Sequence, residues 1–272
     1  MRPEQRARRD AFLGRIGTRP LVMGILNVTP DSFSEVGRFA AADAAIAHAR
    51  RIVAEGCDIV DVGAESARPG ATPITAVEEI ARLVPVLTAF CDLDVPLSVD
   101  TSKAEVAARA AEHGAVVIND IWGLQKDERM ADAVAAAETA VVIMHNRAEK
   151  DEAIDIVADI RRFFDRSLAL AERACIPKER IILDIGIGFA KSSRQNRDAL
   201  TRLGEFKDYG LPILIGASRK AFLGSLNDGS EATLAGTLAV SLAAITAGAA
   251  IVRVHDVAEH VAALKAFQIL RG

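Results

Sequence analysis

Seven polar side chains stand at or just past the ends of apolar runs of strand length: Asn27, Asp100, Asn119, Asp184, Lys220, Arg253 and His255. Their types divide the chemistry. Asp100, Asn119 and Asp184 offer acceptors, with one amide that also donates, which suits a flat heterocycle presenting several N–H groups, such as a 2-amino-4-oxo ring. Arg68, Arg253 and His255 supply positive or donor groups. Ser218, Arg219 and Lys220 are expected to open a helix whose free N–H groups favour anions. Asn27 adds a neutral oxygen able to hold Mg2+ beside a phosphate rather than cage it alone. One polar residue at a strand end often only caps the next helix; a ring of them calls for a ligand. Lys220 reads poorly as a Schiff-base lysine, because that role needs a desolvated ammonium and Lys220 stands beside Arg219. His145 has no partner in view, and His48, His113 and His260 fall on helical faces as surface residues.

The elements that must carry these groups repeat. Apolar runs at 21–28, 58–63, 96–100, 115–119, 140–144, 180–185, 212–217 and 250–254 read as eight strands. Helical spacing follows at 40–55 (Ile46, Ala49, Ile52, Val53) and at 75–90, with Val77, Ile80, Val84 and Leu87 inward. A helix capped by Thr101 or Ser102 comes next, then helices at 127–138, 151–174, 231–247 and 257–270. Pro69, Gly70 and Pro73 forbid regular structure across 64–73. Strand alternating with helix implies parallel strands with right-handed crossovers. No Gly-x-Gly-x-x-Gly follows the first strand, so a closed barrel is preferred to an open doubly wound sheet. The expected fold is α/β, a single-domain (β/α)8 TIM barrel over residues 21–272, behind an N-terminal lead-in at 1–20 with little core of its own.

Composition narrows the classes. The 272 residues suit one such barrel, and 50% apolar content with only 4% aromatics points to branched aliphatic strands under Ala-rich helices. A net charge of −4 with interspersed signs argues against a nucleic-acid partner. Arg2, Arg6, Arg8 and Arg9 read as a solvated tail with no following signal-peptide core. The weakly polar stretch 234–254 is a buried helix followed by a strand, so no membrane partner is expected. Cys57, Cys91 and Cys175 are odd in number and unpaired in spacing, as in a reducing compartment, which makes cytoplasm the default.

Two segments carry a resemblance. Gly24 to Ser34 (GILNVTPDSFS) and Asp61 to Gly70 (DVGAESARPG) are similar to the two signature segments of the dihydropteroate synthase family. Ser98 to Lys103, Ile118 to Asp120, Ser218 to Lys220 and Arg253 to Asp256 resemble further motifs of that family in order, so the likeness spans about 20–270. The resemblance implies an enzyme, a transferase of folate biosynthesis joining 6-hydroxymethyl-7,8-dihydropterin diphosphate to p-aminobenzoate, with Mg2+ as cofactor and sulfonamides as competitors. It implies that Asp100, Asn119, Asp184, Phe189 and Lys220 hold the pterin. Asn27, Arg68, Arg253 and His255 would take the diphosphate, with Asn27 on the metal, and Phe33, Pro69 and Ser218 would border the aminobenzoate. Asp100, Lys220, Arg253 and His255 would act in catalysis. Such enzymes are commonly dimeric, and the apolar helices at 231–247 and 257–270 are candidates for the contact. Three departures stand out: Ala67 where the family has Thr, Ile185 where it has Pro, and Ala190 where Gly is common. Two alternatives share the fold, a methyltetrahydrofolate-binding methyltransferase domain and a non-catalytic pterin-binding paralogue.

Overall fold

A computed structural model describes residues 1–28, 38–66, 71–90, 93–220, 222–225 and 233–271, without the side chains of 38–42, 225 and 271. Eight parallel strands close into a barrel in sequence order, β1 (Leu21–Asn27), β2 (Ile59–Gly63), β3 (Leu97–Asp100), β4 (Val117–Asp120), β5 (Ala140–Met144), β6 (Ile181–Asp184), β7 (Ile213–Ile215) and β8 (Ile251–Val254). Each lies within a residue or two of its predicted run. The helices are α1 (Pro3–Arg15), α2 (Arg38–Ala54), α3 (Ala76–Ala89), α4 (Ala104–Glu112), α5 (Met130–Ala137), α6 (Ile156–Arg173), α7 (Ser193–Thr201), α8 (Phe222–Ser225), α9 (Leu234–Ala247) and α10 (Val257–Arg271). The fold is therefore the expected (β/α)8 barrel.

Successive strand residues point to opposite faces, so each strand feeds two cores. One parity packs outward under the helices, with Val22, Val60, Val99, Ile143, Leu183 and Val252 among them. The other fills the barrel, where Leu21, Met23, Ile59, Val117, Val142, Ile182, Leu214 and Ile251 form an apolar layer toward the N-terminal end. Both sets are buried, which is why the strands read as continuous apolar runs rather than alternating ones.

Several expectations need correction. Residues 1–20 are more than a lead-in, because α1 inserts Phe12, with no exposed surface, into the inner apolar layer. Gln5 Nε2 donates to the Ala111 carbonyl at 2.9 Å, and Arg9 donates to that of Glu138, fastening α1 under the barrel. Val77 is 71% exposed and does not face the core; Leu83, Val86 and Leu87 do. The cap of α4 is Lys103, while Thr101 Oγ1 accepts from the Lys103 N–H. α7 was not predicted. Cys175 is exposed, Cys91 lies outside the described residues, and burial first of all pushes the Cys57 thiol up to about 12. No described helix is long and apolar enough to cross a membrane.

Candidate active site

Two residues beyond the apolar layer, the same inward parity turns polar. Ile59 gives way to Asp61, Val117 to Asn119, Ile182 to Asp184, and Ile251 to Arg253 and then His255. The strands are in register there, Asp61 beside Ser98 and Asp100 beside Asn119, so these groups share one level at the C-terminal end.

Asp61 is the hub, a strand-tip carboxylate to which the sequence reading gave no role in the site. It has no exposed surface, yet it accepts from Ser98 Oγ at 2.6 Å, Asn119 Nδ2 at 3.0 Å and Arg253 Nε at 2.6 Å. A carboxylate only accepts, so the Asn119 amide must turn its NH2 toward Asp61 and keep Oδ1 for a ligand. Arg253 Nη2 also reaches Asp100 Oδ2 at 2.9 Å. Burial works against charge on this guanidinium, but Asp61 and Asp100 outweigh it and raise its pKa. Asp100 moves the other way for a carboxyl, because burial lifts it, against the pull of Arg253, to about 7.

Lys220 and Asp184 form the second cluster. Lys220 Nζ lies 4.5 Å from the centre of the Phe189 ring and donates to the Ile187 carbonyl. Burial lowers its pKa to about 8, with Asp184 opposing. The ammonium is thus desolvated, contrary to the expectation drawn from its neighbour Arg219, which turns outward and pairs with Asp256. Asp184 is 4% exposed and accepts the Gly186 N–H at 2.8 Å; burial raises its pKa while Lys220 lowers it. Gly188 is required here, since a Cβ would come within 2.8 Å of Lys220 Cδ. Ser218 to Lys220 form a turn rather than the start of a helix; α8 begins at Phe222.

Ser218 and His255 meet at the next strand ends, Oγ to Nδ1 at 3.0 Å, with the His255 N–H donating to the same oxygen at 3.2 Å. Burial, then Arg253 and Arg219, hold the imidazole down at about 4, so it is neutral near pH 7. Asn27 is exposed at the rim, its Oδ1 3.8 Å from where a side chain on Gly63 would begin. Among the described residues no group of three or more His, Cys, Asp or Glu is placed to hold a metal. A lone amide oxygen fits Mg2+ only where a phosphate and water complete the shell. Phe33, Arg68 and Pro69 lie outside the described residues, as does Ala67.

Lys103 Nζ binds Glu65 Oε2 at 2.7 Å and the buried Glu79 Oε2 at 2.5 Å, while the Ile74 N–H donates to Glu65 Oε1 at 3.0 Å. This clamp fixes both sides of the 64–73 segment. His145 and His260 also differ from expectation. His260 is 1% exposed and bonded to Ser241 Oγ at 3.2 Å and the Asp256 carbonyl at 2.6 Å. His145 is fully buried between Lys191 and Asp159.

Residues 23–255 match a family described as pterin binding enzymes. The dihydropteroate synthase of Clostridium beijerinckii is 44% identical over 258 residues, covering 94% of this chain and 96% of the relative. A crystal structure of the Clostridium difficile dihydropteroate synthase in the presence of pteroic acid superposes with a TM-score of 0.89 at 43% identity, covering 94% of this chain and 98% of the other. The Xanthomonas albilineans dihydropteroate synthase with 4-aminobenzoic acid gives 0.88 at 42% identity, over 93% and 94% of the two chains.

Proposed function

The chain belongs to the dihydropteroate synthase family of pterin binding enzymes, and from that premise we propose that it joins 6-hydroxymethyl-7,8-dihydropterin diphosphate to p-aminobenzoate, giving 7,8-dihydropteroate and pyrophosphate. The single observation that carries the reading is the polar layer two residues above the barrel plug, where the Asp61 hub aims Asn119 and Arg253 and the Asp184–Lys220 pair stands nearby.

The pterin edge meets Asp184 and Asn119 Oδ1, two acceptors set for ring N–H groups, and Lys220 donates to a ring acceptor. Phe189 covers one face. The carbon–oxygen bond to diphosphate ionises first, since the electron-rich ring stabilises the methylene cation, and Asp100 supplies negative charge beside it. Arg253 stays charged throughout because Asp61 and Asp100 hold it so. The Ser218 hydroxyl accepts from the His255 backbone N–H and donates to Nδ1, which leaves Nε2–H for the departing anion. Arg68 adds charge to the same anion by family likeness. Asn27 would hold Mg2+ together with the diphosphate, and the metal would supply neutralising charge to the leaving group when bound. The weakly nucleophilic amine needs position more than activation. By family likeness Phe33, Pro69 and Ser218 would border its site, where sulfonamides would compete.

A homodimer fits α9, whose inner face carries Thr237 and Ser241 while Leu234, Ala235, Ala239 and Ala243 are exposed. A cytoplasmic setting agrees with the free thiols of Cys57 and Cys175. The deciding experiment is pyrophosphate release with both substrates and Mg2+. Release dependent on both supports the synthase; methyl transfer without it would favour a methyltransferase, and binding without either a silent paralogue.

A further inference from the structure

The segment joining β6 to α7 touches Lys220 twice, through the Ile187 carbonyl and the Phe189 ring. Its own backbone supplies one turn bond, from the Phe189 N–H to the Gly186 carbonyl at 3.2 Å, and Asn196 Oδ1 accepts the Gly188 N–H at 2.8 Å. Gly186, Gly188 and Ala190 all have positive φ, at 66°, 82° and 41°, so neither a strand ladder nor a helix fixes it. The rest of its support lies underneath. Lys191, 7% exposed, sends its Nζ back under the segment to the Gly186 carbonyl at 2.7 Å and the Phe189 carbonyl at 3.2 Å. The third contact of Nζ is His145 Nδ1 at 2.8 Å.

An ammonium has three donors and no acceptor, so these three partners saturate it. The far side of the imidazole settles the tautomer. His145 Nε2 lies 3.2 Å from Asp159 Oδ2, and Asp159 is held ionised by His145 itself and by Arg162 and Arg147. Nε2 therefore carries hydrogen and Nδ1 accepts. Burial lowers both bases, Lys191 well below its ordinary range and His145 to about 4, but lysine starts about four pH units higher and Asp184 and Asp159 support its charge, which leaves the shared proton on Lys191. Gly186 closes the arrangement, because any Cβ there would strike the His145 carbonyl.

We propose that Lys191 is a positioning residue of the pterin site, acting through the Gly186 and Phe189 carbonyls to set Phe189 and Ile187 against Lys220, and that His145 and Asp159 hold it in place. Lys191 itself touches no ligand. The proposal rests on the pterin-binding reading above, and the tests separate the two.

The first test compares Lys191→Met with wild type. We expect the KM for the dihydropterin diphosphate and the Kd for free 6-hydroxymethylpterin to rise roughly tenfold, as for a small displacement of a binding group, with the KM for p-aminobenzoate within about twofold. A folded Lys191→Met protein with unchanged pterin affinity overturns the proposal, and so does one in which both KM values rise together. Asp159→Asn, on the half-open side of α6, covers the case where Lys191→Met fails to fold. It should raise the pterin KM about threefold in the same selective way, and no change there counts against the proposal. Nitrogen-15 NMR of wild-type His145 must show protonated Nε2 and bare Nδ1; the opposite tautomer overturns the assignment. If wild type binds the pterin but releases no pyrophosphate, the synthase reading fails alone and the pterin titration still decides for Lys191.

Discussion

The two ends of the barrel interior are made from the same strands at the same parity and differ by a two-residue step. Toward the N-terminal end Ile59, Val117, Ile182 and Ile251 pack on Phe12; toward the other end Asp61, Asn119, Asp184 and Arg253 stand above them. The lower layer gains stability by removing apolar surface from water. The upper layer costs desolvation of buried charge, offset only because each charge finds a partner. Stability and chemistry are thus separable along one axis, and a residue's height in the barrel tells which of the two its loss will damage.

The sharpest break should come at the top. Lys220→Ala and Asp184→Ala are each expected to cut kcat/KM by about 100-fold or more, the scale of losing a buried charge aimed at the ligand. Steady-state pyrophosphate release measures it, and wild-type rates in both variants would mean the pterin lies elsewhere. Phe12→Ala should do the reverse, lowering unfolding stability in urea by roughly 3–5 kcal/mol while leaving both KM values near wild type.

Acid distinguishes the layers again. An unfolded histidine titrates near 6.5, whereas burial, with Lys191 or Arg253 second, holds His145 and His255 at about 4. The unfolded chain therefore takes up protons first, and stability present above pH 6.5 is lost as pH falls toward 4. Each imidazole contributes roughly 2–3 kcal/mol to that loss by pH 4.5. Asp100, raised to about 7, works in the opposite sense, its contribution being lost as pH rises from about 3.8 to 7. Urea titrations from pH 7 to 4.5 should give a shallower decline for His145→Asn than for wild type. The smallest expected effect is a gain. Ala190 sits at φ 41°, so Ala190→Gly should stabilise by about 1 kcal/mol, read as a raised Tm.

The strands and their tips were legible because each apolar run is buried on both faces and stops at a polar residue. Asp61 was visible as a tip but not as a hub, since its donors come from strands 37, 58 and 192 residues away. α7 escaped notice because its buried residues, Gln195, Asn196 and Ala199, show no apolar period; the Ser192–Gln195 capping box was its one local signal. α1 was missed for a similar reason, its inner face being Gln5 and Arg9 beside a single Phe12. Histidine on a helix looks alike whether wet or dry, so His260 needed Ser241 beside it to declare itself. The family likeness explains why Gly is usual at 190, and the left-handed backbone there supplies the reason.

Phe12 has one more consequence, in time rather than space. Its neighbours come from both ends of the chain, Leu21 and Met23 near the start and Leu214 and Ile251 near the finish. A helix made ahead of all eight strands is thus among the last to find its seat, because the floor it plugs does not exist until the eighth strand arrives. Its contacts are therefore expected to form after the folding transition state, so that Phe12→Ala should hasten unfolding and leave the folding rate nearly alone in denaturant-jump kinetics.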